Sequence, residues 1–324
     1  MTQHFQERLP LSRHATDRAA HRRNEPDLID QLVADAQTRV LVLAEGRTAI
    51  VDGALRSFSV AEIEAILPLA DHELLFLGET TVATAEEPAG TAYLAMAAKA
   101  EHVADLTAAE NWSDLRTTSH ALSDRDAGLF TQALALINWH RTHGFTPRTG
   151  ASTVTGQAGW VRLAHDDETV QVFPRTDPAV IVLVTDGADR ILLGNNALWE
   201  PNRYSLLAGY VEPGESLESA VIREVWEESG LNVVNPVYRG SQPWPFPASL
   251  MLGFTADLAP GADPEAHTAD GDEIRHLRWF TRDEILTPAD DVIFPGPASI
   301  ARALLEEWLG ESIEQSIPWT SGPR

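Results

Sequence analysis

The pattern of apolar and polar positions along the chain sharpens from Phe173 onward, leaving a less regular first half. In that half, short apolar runs at Arg39–Ala44, Glu73–Leu77 and Ala92–Ala97 predict modest strands separated by acidic, alanine-rich connections. Leu129, Leu134, Leu136 and Ile137 recur at roughly helical spacing, which predicts a helix from about Asp124 to His140. The stretch His143–Gly159 is rich in Gly, Thr and Ser and reads as a connector or a very small subdomain. In the second half, the unbroken run Pro178–Thr185 predicts a buried strand, followed by a turn at Asp186–Asp189 and a strand at Arg190–Gly194. Leu206–Val211 leads to a turn at Pro213-Gly214. Ser216 is a natural N-cap for a helix from Leu217 to Glu228 that Gly230 closes. Further strands are expected near Val233–Tyr238, Ser249–Ala256 and Arg275–Phe280, and a tail helix near Ala298–Leu309 places Ile300, Leu304 and Trp308 on one face. The class is α+β, with a mixed sheet and helices packed on it. The sequence shows no internal repeat and no low-complexity tract.

Composition narrows the functions open to such a chain. At 324 residues it exceeds a single typical domain, and 44 % hydrophobic residues suffice for a real core. The apolar stretch Ala179–Val184 is far too short to span a bilayer, and the first residues have no apolar signal-like region. No cysteine is present, which excludes disulfides, thiolate metal sites and cysteine nucleophiles. A cytoplasmic protein is the default expectation. The net charge of −24 repels polyphosphate backbones and argues against broad nucleic-acid binding. It leaves room for a small anionic ligand at a local metal site, where the ion supplies positive charge.

The chemistry concentrates in Gly209–Leu231, GYVEPGESLESAVIREVWEESGL. Glu224, Glu227 and Glu228 stand at i, i+3 and i+4, so a helix gathers their carboxylates on one face. Uncompensated, they repel each other, and a hard divalent cation with oxygen ligands, Mg²⁺ or Mn²⁺, relieves the repulsion. Such an ion bridges diphosphate oxygens and acidifies a bound water for attack on phosphorus. Arg223 is placed to orient a glutamate through a bidentate pair. The alternative is a solvated helix face, but Gly209, Glu215, Arg223, Glu224, Glu227, Glu228 and Gly230 all occupy fixed places. At roughly one in twenty per position, a chance match is about 10⁻⁹. These places make up a complete Nudix box.

Downstream, Ser241-Gln242-Pro243-Trp244-Pro245-Phe246-Pro247-Ala248-Ser249 alternates prolines, which forbid a helix and favour an extended, stiff segment carrying Trp244 and Phe246. After the box, this segment resembles the NADH pyrophosphatase family of Nudix hydrolases, as do Phe173–Val180 and Trp139-His140. The resemblance extends from about Trp139 to the tail helix. It implies a C-terminal Nudix α/β/α sandwich (175–324), a zinc-ribbon-like connector without zinc ligands (141–174) and a smaller α+β N-terminal domain (1–140) for dimerisation and substrate completion. It further implies cleavage of NADH or NAD⁺ to NMNH or NMN plus AMP by a homodimer. Glu224, Glu227, Glu228 and Glu273 would hold metal, with Glu227 positioned as general base and Glu228 or Glu273 as alternatives. Ala208, Tyr210, the Gln242–Ser249 segment (Gln242, Trp244, Phe246 and Ser249), Phe173, Ala301 and Arg116 would contact substrate. Phe145-Thr146-Pro147-Arg148-Thr149-Gly150 keeps the frame of the family's zinc ribbon but has threonine at both cysteine places. Threonine is no useful zinc ligand, so no structural zinc is expected, and packing around Trp160 and Phe145 should hold the connector. His140, His143 and His165 then read as surface or hydrogen-bonded histidines.

Three other readings stay open. One is removal of NAD caps from RNA. A second is hydrolysis of ADP-ribose or dinucleoside polyphosphates, since a fold does not set its substrate. The third, a non-catalytic nucleotide sensor, sits poorly with an intact set of glutamates.

Overall fold

The computed structural model describes residues 5–85, 87–289 and 291–314. Contacts group the chain into two units. One holds Arg13–Thr176 with Trp244–Ala248; the other holds the segment ending at Ser12, Asp177–Pro243 and the chain from Ser249 onward. This grouping differs from the expected three-part division: the connector belongs with the N-terminal unit, and the segment ending at Ser12 with the C-terminal one. Leu9 explains the second difference, because it is fully buried in the C-terminal core, and Ser12 Oγ donates to Ser241 O at 2.7 Å.

In the N-terminal unit the elements that carry the argument are β1 (Arg39–Ala44), β2 (Arg47–Val51), β3 (Phe58–Ser59), α1 (Val60–Glu64), β4 (Leu75–Thr80), β5 (Ala92–Ala98), β6 (Trp112–Asp114) and α2 (Asp124–Thr142). β1 runs parallel to β5 and antiparallel to β2 and β3, while β4 lies antiparallel to β5 and β6 to β2. Val40, Val42, Phe76, Leu94 and Met96 meet Ile63 of α1 in one core. Helix α2 starts where Ser123 accepts the N–H of Asp126, as a capping serine does.

The connector forms a three-stranded antiparallel sheet of β7 (Thr153–Gly156), β8 (Val161–Ala164) and β9 (Gln171–Val172). At the former cysteine places the hydroxyls of Thr146 and Thr149 bond to each other at 2.5 Å. The expectation of packing around Phe145 fails, since its side chain is 68 % exposed. A polar network fastens the sheet instead. Arg162 donates to Thr153 Oγ1 at 2.6 Å, to Glu73 at 3.0 Å and to His140 Nδ1 at 2.7 Å, while His140 Nε2 meets Gly159 O at 2.8 Å.

The C-terminal unit is a sandwich. Its elements are β10 (Asp177–Thr185), β11 (Ile191–Asn196), β12 (Leu207–Tyr210), α3 (Leu217–Ser229), β13 (Val233–Trp244), β14 (Ser249–Leu258), β15 (Ile274–Phe280) and α4 (Ile300–Leu309). Alternation along β10 explains the layers. Val180, Val182 and Val184 pack under Ala220, Val221 and Val225 of α3, whereas Ile181 and Leu183 pack against Ile300, Leu304 and Leu305 of α4. β10 runs parallel to β14 and antiparallel to β11 and β12, β11 lies antiparallel to β15, and β13 pairs with β14 at the sheet edge. The proline-rich segment is extended only through Trp244 and then turns over Pro245–Ala248. It must join the neighbouring strands β13 and β14, and Phe246 N accordingly donates to Trp244 O at 2.7 Å.

Candidate active site

Ser216 caps α3 by accepting the N–H of Ser219, and Gly230 ends it at φ 70°, a conformation that glycine adopts without strain. Between these ends the helix buries Ala220, Val221 and Val225 on the sheet, which fixes the direction of the remaining face. Arg223 sits at the centre of that face. Its Nε donates to Glu215 at 3.1 Å, Nη2 to Tyr210 O at 3.0 Å, and Nη1 to Glu224 at 2.8 Å and Glu227 at 2.9 Å. One guanidinium thus ties the loop to the helix. It holds Glu215 below its ordinary pKa, with help from the N–H of Glu212.

The glutamates differ sharply in environment. Glu227 has half its side chain in solvent. Glu224 is partly buried, and burial raises its pKa against the opposing effect of Arg223. Glu228 is 4 % exposed and accepts a hydrogen bond from the backbone of Ala208, but its Oε2 has no partner. Burial first, then the charges of Glu273 and Glu224, pushes its pKa to about 9. A β-carbon at Gly209 would overlap the Glu224 carboxylate, so glycine is what lets β12 pass so close to the helix.

Glu273 stands in the loop before β15, where Asn196 Nδ2 reaches its Oε1 at 3.4 Å. Asp270, which sequence reasoning missed, shapes that loop: its Oδ1 accepts the N–H groups of Asp272 at 2.9 Å, Glu273 at 3.0 Å and Ile274 at 2.9 Å. Its charge also raises the Glu228 pKa. The pattern Asp270-Gly271-Asp272-Glu273 was the available signal, since aspartate before glycine favours such a turn.

Among the described residues no three acidic or histidine side chains already converge as a metal cage. Glu224 and Glu227 are each ion-paired to Arg223. The residues nevertheless fit a hard cation. A buried carboxylate oxygen with no donor, flanked by two further carboxylates, is the environment that a divalent ion satisfies.

The expected substrate residues fall into both units. In the C-terminal unit Tyr210 is 56 % exposed and its hydroxyl bonds Ser249 Oγ at 3.0 Å. Gln242 is fully buried, donates to Ala298 O at 3.0 Å and leaves its Oε1 unpartnered. Ala208 packs against the core and Ala301 lies within it. In the N-terminal unit the Arg116 guanidinium lies 3.8 Å from the centroid of the Phe246 ring, and Trp244 meets Phe246 edge to face at 4.9 Å. Asn138 of α2 donates to Pro245 O at 2.9 Å and so holds this turn. Phe173 is 58 % exposed and lines a cavity of about 550 Å³ with Arg148 and Thr169.

A fold and a site of this kind define a Nudix hydrolase. Residues 175–300 match the NUDIX domain, and residues 31–139 match the "NADH pyrophosphatase-like rudimentary NUDIX domain". The chain is 38 % identical over 322 residues to the NAD-capped RNA hydrolase NudC of Mycobacterium bovis, covering 92 % of this chain and 94 % of that one. It is 37 % identical over 202 residues to the NAD-capped RNA hydrolase NUDT12 of Homo sapiens, covering 58 % of this chain and 43 % of that one. The chain belongs to the NADH pyrophosphatase-like family of Nudix hydrolases.

Proposed function

We propose that this enzyme hydrolyses the diphosphate of NADH and NAD⁺, giving AMP with NMNH or NMN. The observation that carries the reading is the α3 face, with Glu224, Glu227 and Glu228 gathered there and one Glu228 oxygen unpartnered. Glu224, Glu227, Glu228 and Glu273 would hold Mg²⁺ or Mn²⁺, which would acidify a water and offset charge developing on the diphosphate. Glu227, more open to solvent than either Glu224 or Glu228, accepts the proton of the attacking water. The water oxygen bonds to phosphorus, the bridging P–O bond breaks, and the departing phosphate keeps that electron pair. Arg223 holds Glu224, Glu227 and the loop in register. Tyr210, Gln242, Ser249, Ala208 and Ala301 contact the nucleotide in this reading; Trp244, Phe246, Arg116 and Phe173, the other expected substrate residues, belong to the other unit. We place the enzyme in the cytoplasm as a homodimer, supported by the absence of cysteine and by the family; light scattering on the purified chain tests the dimer.

A second reading is favoured by the relatives, which are named as NAD-capped RNA hydrolases. The same bond is broken, and the product then is RNA with a 5′ phosphate. Incubation with NADH, NAD⁺, ADP-ribose and NAD-capped RNA, with and without Mg²⁺ or Mn²⁺, tests both. Metal-dependent release of AMP and NMNH is the expected result. Far faster cleavage of ADP-ribose would sink the NADH assignment, and binding without turnover would sink the enzymatic one.

A further inference from the structure

Hydrolysis at the α3 carboxylates makes no use of a pair of arginines in the N-terminal unit. Most arginines near them have an acid: Arg22 pairs with Glu79 and Glu25, Arg13 with Asp124, and Arg162 with Glu73. Arg18 and Arg23 form no ion pair among the described residues, although the chain carries a net −24. Both instead sit on one indole. The Arg23 guanidinium carbon is 3.5 Å from the centroid of the Trp160 ring, and that of Arg18 is 5.6 Å away. Arg23 Nη2 donates to Arg18 O at 3.3 Å, and its buried Nε has no partner. Burial, and then the like charge of Arg18, holds Arg23 below its ordinary pKa. Two guanidiniums thus repel each other on one ring, an arrangement that an anion between them relieves. Trp160 does not depend on them for its position, because its Nε1 donates to Phe76 O at 2.8 Å.

A cavity of about 580 Å³ opens beside this platform, lined by Arg23, Asn24, Leu28, His72, Thr155 and Gln157 among others. Four carboxylates also border it. Glu25 is bonded to Arg22 and Glu73 to Arg162, which leaves Asp27 and Asp30. The turn beside the cavity holds Gln157 at φ 48° and Ala158 at φ 50°, costly conformations that surrounding structure must impose.

We propose that Arg18 and Arg23, stacked on Trp160, dock a phosphodiester of single-stranded RNA. The inference rests on the reading of the chain as a remover of NAD caps and deepens it. NADH has one diphosphate, which the hydrolytic site must itself hold, so a further phosphate site serves only a substrate with more phosphates. A guanidinium fork matches a phosphate oxygen pair. In a strongly negative field, a local contact of this kind is what a polyanion needs to bind at all.

The test measures binding of a short, labelled, uncapped single-stranded RNA by fluorescence anisotropy, beside kinetics on NADH and on NAD-capped RNA. The Arg18→Gln/Arg23→Gln protein should bind the RNA about tenfold more weakly, and its log–log salt slope should flatten by about 1.4, two contacts at about 0.7 each. KM for capped RNA should rise in step while kcat and KM for NADH stay unchanged. Arg18→Lys/Arg23→Lys should restore the salt slope. Equal RNA affinity in wild type and variant overturns the proposal, as does a parallel loss on NADH and RNA. So does a substitution that alters competition by inorganic phosphate but leaves RNA binding alone. Should the double variant fail to fold, the exposed Arg18→Gln alone carries the comparison. A wild type that hydrolyses neither substrate defeats the catalytic reading, and the RNA-binding arm still decides this one.

Discussion

The two units pair their strands in the same order, yet they treat their carboxylates in opposite ways. In each, a central strand lies parallel to one partner and antiparallel to two others: β1 with β5, β2 and β3 in the N-terminal unit, β10 with β14, β11 and β12 in the C-terminal one. In each, a helix follows the short antiparallel strand, α1 after β3 and α3 after β12. But α3 runs for 13 residues and α1 for five. Both acids of the short helix are engaged. Glu62 accepts from Ser59 N at 2.7 Å and pairs with Arg56 at 2.8 Å, and Glu64 accepts from Leu69 N at 2.8 Å. Glu228 of the long helix is buried with an oxygen left over. Topology therefore supplies a place for a helix in each unit, and only the longer helix gathers carboxylates and leaves one oxygen unsatisfied.

The sharpest way to break this contrast is to remove the unsatisfied oxygen. Glu228→Gln should lower kcat by about a hundredfold to a thousandfold, the order lost with one group that stabilises a transition state. Steady-state kinetics on NADH read this, and near-wild-type turnover would show that the orphan carboxylate is incidental. Gly209→Ala comes next. Its β-carbon must displace the Glu224 carboxylate or β12, and a misplacement near 1 Å costs about a hundredfold in rate. Unaltered activity would mean that the close approach of strand and helix does nothing for catalysis.

A third test uses stability in place of turnover. An ion that binds only the folded protein adds about 2.7 kcal/mol at a hundred times its Kd. Mg²⁺ or Mn²⁺ should thus raise the melting temperature of the wild type by several degrees and that of Glu228→Gln much less. Without metal, Glu228→Gln should melt higher than the wild type, because it removes a buried carboxylate that burial and the charges of Glu273 and Glu224 disfavour in its ionised form. A variant that melts lower without metal would contradict the account of Glu228 as strained until an ion binds.

The contrast between the units was only half legible in the sequence. In the C-terminal unit, the apolar run at Pro178–Thr185 and the Ser216 and Gly230 caps are strong local signals, and observed strands and helices begin or end within a few residues of the expected places. The repeat of topology left no trace because it resides in strand pairing, between elements as unequal as the two residues of β3 and the four of β12. Fragments that fold far from their sequence neighbours were equally hidden. Leu9 joins the C-terminal core, and Trp244–Ala248 groups with the N-terminal unit, where Asn138 holds its turn. Period alone does not report such partners. Phe145 was misread for a related reason: threonines that bond each other and an arginine network close the connector without an aromatic core.

The smallest expected effect probes the other side of the contrast, the satisfied helix. Glu62 completes a capping box with Ser59, so Glu62→Gln should cost at most about 1 kcal/mol, or about 2–4 °C for a unit of this size. Turnover of NADH should not change. The loss should also depend on pH. Burial works against the ionised form, but hydrogen bonds from Ser59 and the charge of Arg56 outweigh it and hold the Glu62 pKa below its ordinary value of 4.5. A depressed folded-state pKa contributes stability above the ordinary value and loses it as pH falls through the folded one. The gap between wild type and Glu62→Gln should therefore be full at neutral pH and shrink below about 4.5. Thermal melts at a series of pH values measure this. A drop in turnover with no change in melting would mean that the short helix takes part in catalysis after all, and the division of labour between the two units would have to be redrawn.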